Sequence, residues 1–445
     1  MVSVKEKAEK AKKASILISN VTTESKNNAL LNMAKALDTE RQKILDSNKI
    51  DLENANKLLE GGSLSSSIVK RLEVTDAKID DMINGIQDVA KLVDPVGKTL
   101  NAIELDNGLE LYQIATPIGV IGMVFESRPD VVPQIISLAL KSGNCVLLKG
   151  GKESAYTNKS IFDILINSID SNYIPKDAFQ LIEKREDVTE MLKLDKYIDL
   201  IVPRGSNEFV RFVQSNTKIP VLGHSDGICH VYVDKKYDNK KAVDVCLDSK
   251  VQYPAVCNAI ETLLVHKDSS KIFLPIIGKK YKDEKVEMRC CEKSLEIMKD
   301  LDVKKASEED WSTEYNDLII SIKIVDSIEE AIDHINNYGS HHTDSIITED
   351  KEAANTFLKY VDSSSVMLNT STRFADGFRY GKGAEIGIST GKIHARGPTG
   401  LEGLLIYKYI LLGKGQKVAD YVGTNAKKYS HKQLNTTYEN ALNKF

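Results

Sequence analysis

The residues with the most chemical promise lie in Val251-Gln-Tyr-Pro254-Ala-Val-Cys257-Asn-Ala-Ile-Glu261. A thiol becomes a strong nucleophile once it ionises, and its surroundings set how readily it does so. Pro254 suits the first turn of a helix, where its missing N–H costs nothing. That placing puts Cys257 in the same turn, among backbone N–H groups without intrahelical partners, which favour thiolate over thiol. Cys257 is therefore a candidate nucleophile. Taken alone, a free cysteine is more often a small buried apolar residue, so the rest of the chain has to decide.

A second unusual stretch runs from Asn369 to Gly400. It gathers seven glycines with Ser371, Thr372, Arg373, Arg379, Lys382, Lys392, His394 and Arg396. Such a run can wrap a small polar anion; a glycine-rich connection with solvated charges is the competing reading. Two further loops, Lys149-Gly-Gly-Lys152-Glu-Ser154 and Pro203-Arg-Gly205-Ser206-Asn-Glu208, each follow a short apolar run and precede a helical pattern. Their glycines permit close backbone approach, and a helix N-terminus attracts phosphate. Neither loop reads G-x-G-x-x-G, so the usual dinucleotide fingerprint is missing, and ordinary loop glycines explain each taken singly.

The pattern around these residues predicts α/β architecture. Residues 1–95 read as helices, over Val4–Leu17, Ser25–Leu37, Thr39–Leu59, Ser65–Leu72 and Asp76–Leu92, with Asp76 as an N-cap. Two runs flanking Asp106-Asn-Gly108 predict a hairpin over 98–116, either an oligomerisation arm or a surface hairpin. From 117 to 214, and again from 226 to 400, short apolar strands alternate with helices, the sign of parallel sheets covered on both faces. The two α/β units would leave a cleft between them, where ligands usually sit. A last strand is expected over Leu404–Leu411, followed by a polar, loosely packed tail.

The chain has 445 residues, 42% hydrophobic and 28% charged, enough for two or three domains. A net charge of −4 gives no reason to expect nucleic acid or an anionic membrane as partner. The first residues are charged and lack a signal peptide's apolar core. No apolar run approaches the roughly 18 residues of a membrane span. Cysteines 145, 229, 246, 257, 290 and 291 form no C-x-x-C pair, which suits reduced thiols in the cytoplasm. No metal-ligand spacing and no internal repeat is present, so no metal is expected.

Four motifs give a family resemblance: Pro117-Ile-Gly-Val-Ile-Gly-Met-Val-Phe-Glu-Ser-Arg128-Pro-Asp130, Tyr253-Pro-Ala-Val-Cys257-Asn-Ala-Ile-Glu-Thr-Leu263, Thr313-Glu314-Tyr315, and the 369–400 run. Through them the chain resembles the gamma-glutamyl phosphate reductase (glutamate-5-semialdehyde dehydrogenase) family, a branch of the aldehyde dehydrogenase superfamily, over residues 1–415. No amino-acid kinase segment precedes the motifs, so the free-standing form is expected. The resemblance implies a Rossmann-like NADP-binding domain over 1–225, with the 98–116 hairpin in an oligomerisation arm. It also implies a catalytic cysteine domain over 226–400, and over 401–445 the arm's last strand and the polar tail.

The reaction it implies is NADPH-dependent reduction of L-glutamate 5-phosphate to L-glutamate 5-semialdehyde with phosphate release, in proline biosynthesis. Cys257 would attack the acyl phosphate, leaving a thioester that hydride resolves. Hydrolytic relatives carry a glutamate base in E-L-G-G-K upstream of the cysteine; here the aligned segment is Val221-Leu-Gly-His224-Ser-Asp226, with no carboxylate at Val221. For the cofactor, Lys149 matches the lysine at the adenosine ribose, Gly205 and Ser206 the pyrophosphate loop, and Glu314 the glutamate on the nicotinamide ribose. Lys152 is assigned to the 2′-phosphate from its charge. Arg128 stands near the superfamily's oxyanion asparagine and is assigned to the acyl phosphate, with the Cys257 N–H as a further oxyanion donor. Ser371, Thr372 and Arg373 are assigned to the substrate's carboxylate or phosphate, and His394 to the substrate or to structure. The implied partners are glutamate 5-phosphate, further copies of the chain as dimer or tetramer, and glutamate 5-kinase as the source of the acyl phosphate. The competing readings are a hydrolytic aldehyde dehydrogenase and a non-catalytic relative that keeps the fold.

Overall fold

The structure, a computed structural model, describes residues 2–64, 66–183 and 187–443. Ser65, the first residue of one expected helix, lies outside them. The chain divides into two compact units, one of Met1–Gly205, Phe212–Val221 and Gly400–Phe445, the other of Ser206–Arg211 and Leu222–Thr399.

The first unit opens with five helices: α1 (Val4–Ile18), α2 (Thr23–Thr39), α3 (Arg41–Glu60), α4 (Ser66–Leu72) and α5 (Asp76–Lys91). In α1 the Ser3 hydroxyl accepts from the Glu6 N–H while the Glu6 carboxylate accepts from the Ser3 N–H, a reciprocal cap. Its buried residues, Val4, Ala8, Ala11, Ala14 and Ile18, recur at helical spacing. The cap of α5 is Thr75, whose hydroxyl accepts from the Lys78 N–H. Asp76, expected as the cap, is instead the first helical residue.

After the hairpin β1 (Thr99–Asp106) and β2 (Leu109–Pro117) come four strands, β3 (Val120–Phe125), β4 (Cys145–Lys149), β5 (Phe179–Ile182) and β6 (Leu200–Arg204). They form one parallel sheet in the order β5-β4-β3-β6. All six residues of β3 are buried, as expected for a central parallel strand. The chain steps outward from β3 to β5 and then returns to the other side of β3, a reversal of the kind that marks ligand crevices in doubly wound sheets. Helices α6 (Val131–Ser142) and α7 (Ala155–Asn167) make the crossovers, and α8 (Asp187–Met191) precedes β6.

The second unit holds a seven-stranded parallel sheet, built from β7 (Cys229–Val233), β8 (Ile260–His266), β9 (Glu287–Cys290), β10 (Val303–Lys305), β11 (Ile319–Val325), β12 (Thr343–Ile347) and β13 (Ser365–Leu368). The order is β10-β9-β11-β8-β7-β12-β13. Its helices include the start of α9 (Asn207–Ser215), then α10 (Asn239–Val251) and α11 (Lys267–Asp283). A short antiparallel pair, β14 (Gly387–Ser389) and β15 (Gly397–Thr399), lies inside the glycine-rich run. The core on one side of the large sheet joins Val231, Val233, Leu263, Val265, Phe273, Ile277 and Ile322.

The remaining strands, β16 (Leu405–Leu412) and β17 (Lys432–Gln433), flank the hairpin in an antiparallel sheet ordered β16-β2-β1-β17. The tail corrects the expectation of loose packing. Backbone N–H groups of Ser430 and Leu434 donate to Leu105 and Ala102, Tyr438 packs edge-on against Tyr112, and Ala441 joins the arm's small core. Leu434, Tyr438 and Ala441 pack against Ala102, Tyr112 and Ile114 of β1 and β2, while Val418, Val422, Tyr429 and Leu442 stay exposed. Among the described residues no helix is long and apolar enough to cross a membrane.

One glycine sets the start of the first sheet. Gly119 has φ +127°, and a Cβ there would stand 2.3 Å from Asp199 Oδ2. That oxygen accepts from the Val120 N–H at 2.8 Å, and the carboxylate also holds Lys12 of α1 at 2.7 Å. Gly119→Ala should cost about 1–3 kcal/mol through backbone strain and the displaced carboxylate. Urea unfolding checks it; a midpoint equal to wild type would refute this account of Gly119.

Candidate active site

Cys257 lies in the turn between α10, which ends at Val251, and β8, which begins at Ile260. No helix starts at Pro254, which corrects the expected helix-N-terminus environment. Proline is common just beyond a helix end because it cannot continue the helix, and Pro254 has that role after α10. The electrostatic surroundings of Cys257 therefore come from side chains and not from an opening helix.

Its backbone is tightly held. A Cβ on Gly227 would come within 2.4 Å of Cys257 Cα and 2.3 Å of its carbonyl oxygen. The Cys229 thiol donates to that carbonyl at 3.1 Å, where the pairing of β7 with β8 is irregular between Cys229 and His230. Two histidines absent from the expected site stand beside the thiol: one ring nitrogen each of His224 and His342 and the Cys257 sulfur lie within 4.8 Å of one another. The His224 and His342 rings meet edge to face at 4.8 Å. His224 belongs to the segment singled out for lacking a glutamate, so a signal was present there. His342 lies far from Cys257 in the chain and carried none.

The other thiols are poor candidates. Cys145, Cys229, Cys246 and Cys290 are buried, and burial pushes their thiols up, to about 12 for Cys145 and about 11 for Cys290. Cys291 is partly exposed, but its sulfur accepts from the Ser294 hydroxyl and the Ile324 N–H. Cys257 is partly exposed and within electrostatic reach of Arg373. Burial, then the like charge of Arg379, pulls the Arg373 guanidinium below its usual range, while the Cys257 charge acts the other way. Arg373 is held by a neutral amide, with Nε donating to Gln252 Oε1 at 2.9 Å.

The glycine-rich run divides. Ser371 is buried and its hydroxyl accepts from Ser249 of α10 and from the Arg373 N–H. Thr372 is wholly buried, with a hydroxyl that has no hydrogen-bond partner. Asn258, next to Cys257, ties the run to the turn by donating to the Ala375 carbonyl at 2.8 Å, and its own Oδ1 has no partner. Lys392 and Arg396 share the one carboxylate of Asp362. His394 lies exposed between them. Arg373 is the cation of this run within electrostatic reach of the thiol, with Arg379 beside it donating to the Arg373 carbonyl.

For the cofactor, the first sheet supplies a cradle at the carboxyl end of β4. A Cβ on Gly150 would meet Asn158 Nδ2 at 2.2 Å, and Asn158 is buried with an unpartnered Oδ1. Helix α7 opens there with its Tyr156 and Thr157 N–H groups donating to the buried Asp51 carboxylate, so the cradle rests on Gly150, Asn158 and the two lysines. Lys149 is buried with its ammonium on the Gly150 carbonyl, and Lys152 is exposed. These residues fit a nucleotide cofactor. Arg128 is exposed after Ser127, whose φ is +44° and whose N–H and hydroxyl both donate to Glu153. Ser206 accepts from the Phe209 N–H at the start of α9.

Glu314 is brought to that same helix start: its carboxylate accepts from Asn207 Nδ2 at 2.8 Å. The turn bearing Glu314 is anchored on both sides. Tyr315 donates to Asp310, which also binds Arg289 and the Ser307 N–H and hydroxyl. The Asn316 N–H donates to Glu261, a buried carboxyl paired with buried Lys250 at 2.6 Å. Burial pushes the Glu261 carboxyl up to about 8 and the Lys250 ammonium down. None of these anchors was read from the sequence.

The sequence pattern of the aldehyde dehydrogenase family matches residues 2–294. The chain is 60% identical over 444 residues to a gamma-glutamyl phosphate reductase of Methanococcoides burtonii, covering 99% of each. The crystal structure of gamma-glutamyl phosphate reductase from Thermotoga maritima superposes with a TM-score of 0.89 at 43% identity, over 93% of this chain and 99% of that one. An acetylating aldehyde dehydrogenase from Geobacillus thermoglucosidasius shares the fold, with a TM-score of 0.62 at 17% identity over 92% of this chain and 96% of that one.

The anchors under Glu314 have a pH signature. Burial alone would raise the Asp310 carboxyl; the Ser307 N–H, Arg289, Tyr315 and the Ser307 hydroxyl outweigh it and hold it at about 2. A carboxyl depressed by folding stabilises above its unfolded value, near 4, and loses that contribution as pH falls through the folded value. Asp310→Asn should therefore cost roughly 2 kcal/mol at pH 7 and about half that near pH 3. Urea unfolding of both proteins at the two pH values checks it; a pH-independent difference would contradict the network.

Proposed function

The chain belongs to the gamma-glutamyl phosphate reductase branch of the aldehyde dehydrogenase family, and from that premise we propose how its residues perform the reaction. The enzyme reduces L-glutamate 5-phosphate to L-glutamate 5-semialdehyde with NADPH and releases phosphate, a step of proline biosynthesis. The Cys257 thiolate attacks the acyl carbon, and the bond to the phosphate oxygen breaks with its electrons leaving on phosphate. Arg128 and Arg373 neutralise the substrate's anionic groups, and the Cys257 N–H donates to the oxyanion. NADPH, held by Lys149, Lys152, Gly205, Ser206 and Glu314, supplies the hydride that reduces the thioester. Collapse of the resulting thiohemiacetal breaks the carbon–sulfur bond and restores the thiolate. Ser371 and Thr372 are assigned with Arg373 to the substrate's carboxylate or phosphate, and the Ser371 hydroxyl also accepts from the Arg373 N–H. His394 is a substrate contact of the same reading.

The observation that carries the assignment is that Cys257 is partly exposed beside an arginine held by an amide and not by a carboxylate. A hydrolytic route needs a base to activate water, and Val221 replaces the carboxylate that supplies it in hydrolytic relatives. Run in reverse, semialdehyde oxidation should require phosphate or arsenate, and omission of both should take the rate to baseline. Cys257→Ala should lower turnover by about 10⁴-fold or more while NADPH still quenches or shifts fluorescence on binding. Undiminished oxidation without either anion would establish the hydrolytic alternative, and turnover in the alanine variant would reject the nucleophile.

The same reading assigns residues 1–225 to the cofactor, 226–400 to the cysteine, 98–116 to the arm, and 401–445 to the arm's last strand and the polar tail. The arm's edge strand β16 exposes Ile406, Tyr407, Tyr409 and Leu411, an unpaired edge of the kind that a second copy completes. The working form is a cytoplasmic homo-oligomer, fed by glutamate 5-kinase. Tyr407→Lys with Tyr409→Lys should shift the sedimentation coefficient to that of a 49.4 kDa monomer. An unchanged assembly would place the interface elsewhere.

A further inference from the structure

We propose that His224, Cys257 and His342 form a site for an exchangeable soft divalent metal ion, zinc in the first place, that caps the nucleophile and holds the enzyme inactive. The three donor atoms already lie within 4.8 Å of one another. A tetrahedral zinc with two nitrogens and one sulfur needs its donors about 3.5 Å apart, so side-chain rotations of about 1 Å complete the set. Two imidazoles and a thiolate are donors that zinc takes, and three protein ligands leave a fourth position for water.

The histidines are arranged as ligands usually are. His224 Nδ1 lies 2.7 Å from the Ile388 carbonyl. A carbonyl can only accept, so Nδ1 carries the proton and Nε2 is the basic nitrogen; a backbone carbonyl behind the ring is the usual support of a metal-bound histidine. His342 is wholly buried, its Nδ1 meets the Thr343 hydroxyl at 2.9 Å, and its Nε2 has no hydrogen-bond partner. A buried polar nitrogen left bare is unfavourable and asks for an explanation, and a metal ion supplies the missing partner. Arg373, a cation within electrostatic reach of Cys257, opposes a second positive charge there. With three ligands and not four, it makes the site exchangeable rather than structural. Binding displaces the thiol proton and forms the metal–sulfur bond, with no change of oxidation state.

The consequence for turnover rests on Cys257 being the nucleophile; the binding itself does not. The full chain, stripped with EDTA and freed of chelator, is titrated with Co²⁺ and then Zn²⁺. One Co²⁺ per chain is expected, with a sulfur-to-cobalt charge-transfer band, and Zn²⁺ should remove that band. Phosphate-dependent semialdehyde oxidation should fall with the same zinc midpoint and return on adding EDTA. His342→Gln and His224→Asn should each weaken Co²⁺ binding by about tenfold or more, with folding checked by circular dichroism, and Cys257→Ala should abolish the band. In wild type, zinc should also protect Cys257 from iodoacetamide. Cobalt bound without a sulfur band, affinity unchanged in both histidine variants, or unprotected Cys257 would each overturn the site. A normal band with unaffected turnover would leave the site standing and overturn both the capping and the nucleophile assignment.

Discussion

The close approach of two backbones, Gly227 against Cys257, is the contact on which the catalytic unit depends. Any side chain at 227 would overlap the cysteine's Cα and carbonyl. With glycine there, the turn settles against the start of β7, and the Cys229 thiol can reach the Cys257 carbonyl. Cys257 thus owes its position to tertiary packing around a short turn and not to a local helix. It also explains why partners of the thiol come from distant segments.

Those partners follow from parallel register. Strands β8, β7 and β12 are neighbours, with Cys229 opposite Ile260 and Asp344 opposite His230. Residues just before the three strands therefore share one end of the sheet: Cys257 ahead of β8, Gly227 ahead of β7 and His342 ahead of β12. The same geometry buries His230 against Asp344 at 2.8 Å, a paired polar contact that locks β7 to β12. Buried polar atoms nearly always find partners, yet His342 Nε2, Asn258 Oδ1 and Thr372 Oγ1 do not. Each belongs to, or adjoins, the segments that hold Cys257 and Arg373, while His230, Thr262, His334, Ser365 and Ser389 leave further buried polar atoms of the unit without partners.

Rigidity around Glu314 has a different origin. Its turn is fixed by charge: Asp310 gathers Arg289, Tyr315 and Ser307, while Glu261 and Lys250 form a buried pair beneath Asn316. Truncating one member of such a pair leaves the other buried and uncompensated, so the turn resists change at either partner. The Glu314 turn is in this way held by side chains other than its own.

By itself the sequence determined the alternation of short apolar strands and helices, the hairpin at Asp106-Asn-Gly108, and the candidate nucleophile. Each is local: strand periodicity, turn chemistry and one reactive side chain in a distinctive motif. It also marked Arg373 and Glu314, through motifs that lie within a few residues. It misread Pro254, because proline fits both the start of a helix and the stretch just after one, and only the path of α10 into β8 distinguishes them. It took the polar tail as loose, because Tyr438 and Ala441 find their apolar partners on strands more than three hundred residues earlier in the chain. The tertiary structure alone decided that Lys392 and Arg396 pair with Asp362, and that His224 and His342 stand at the thiol. Contacts of that kind depend on which strands become neighbours, and strand order is a property of the assembled sheet, not of any segment within it.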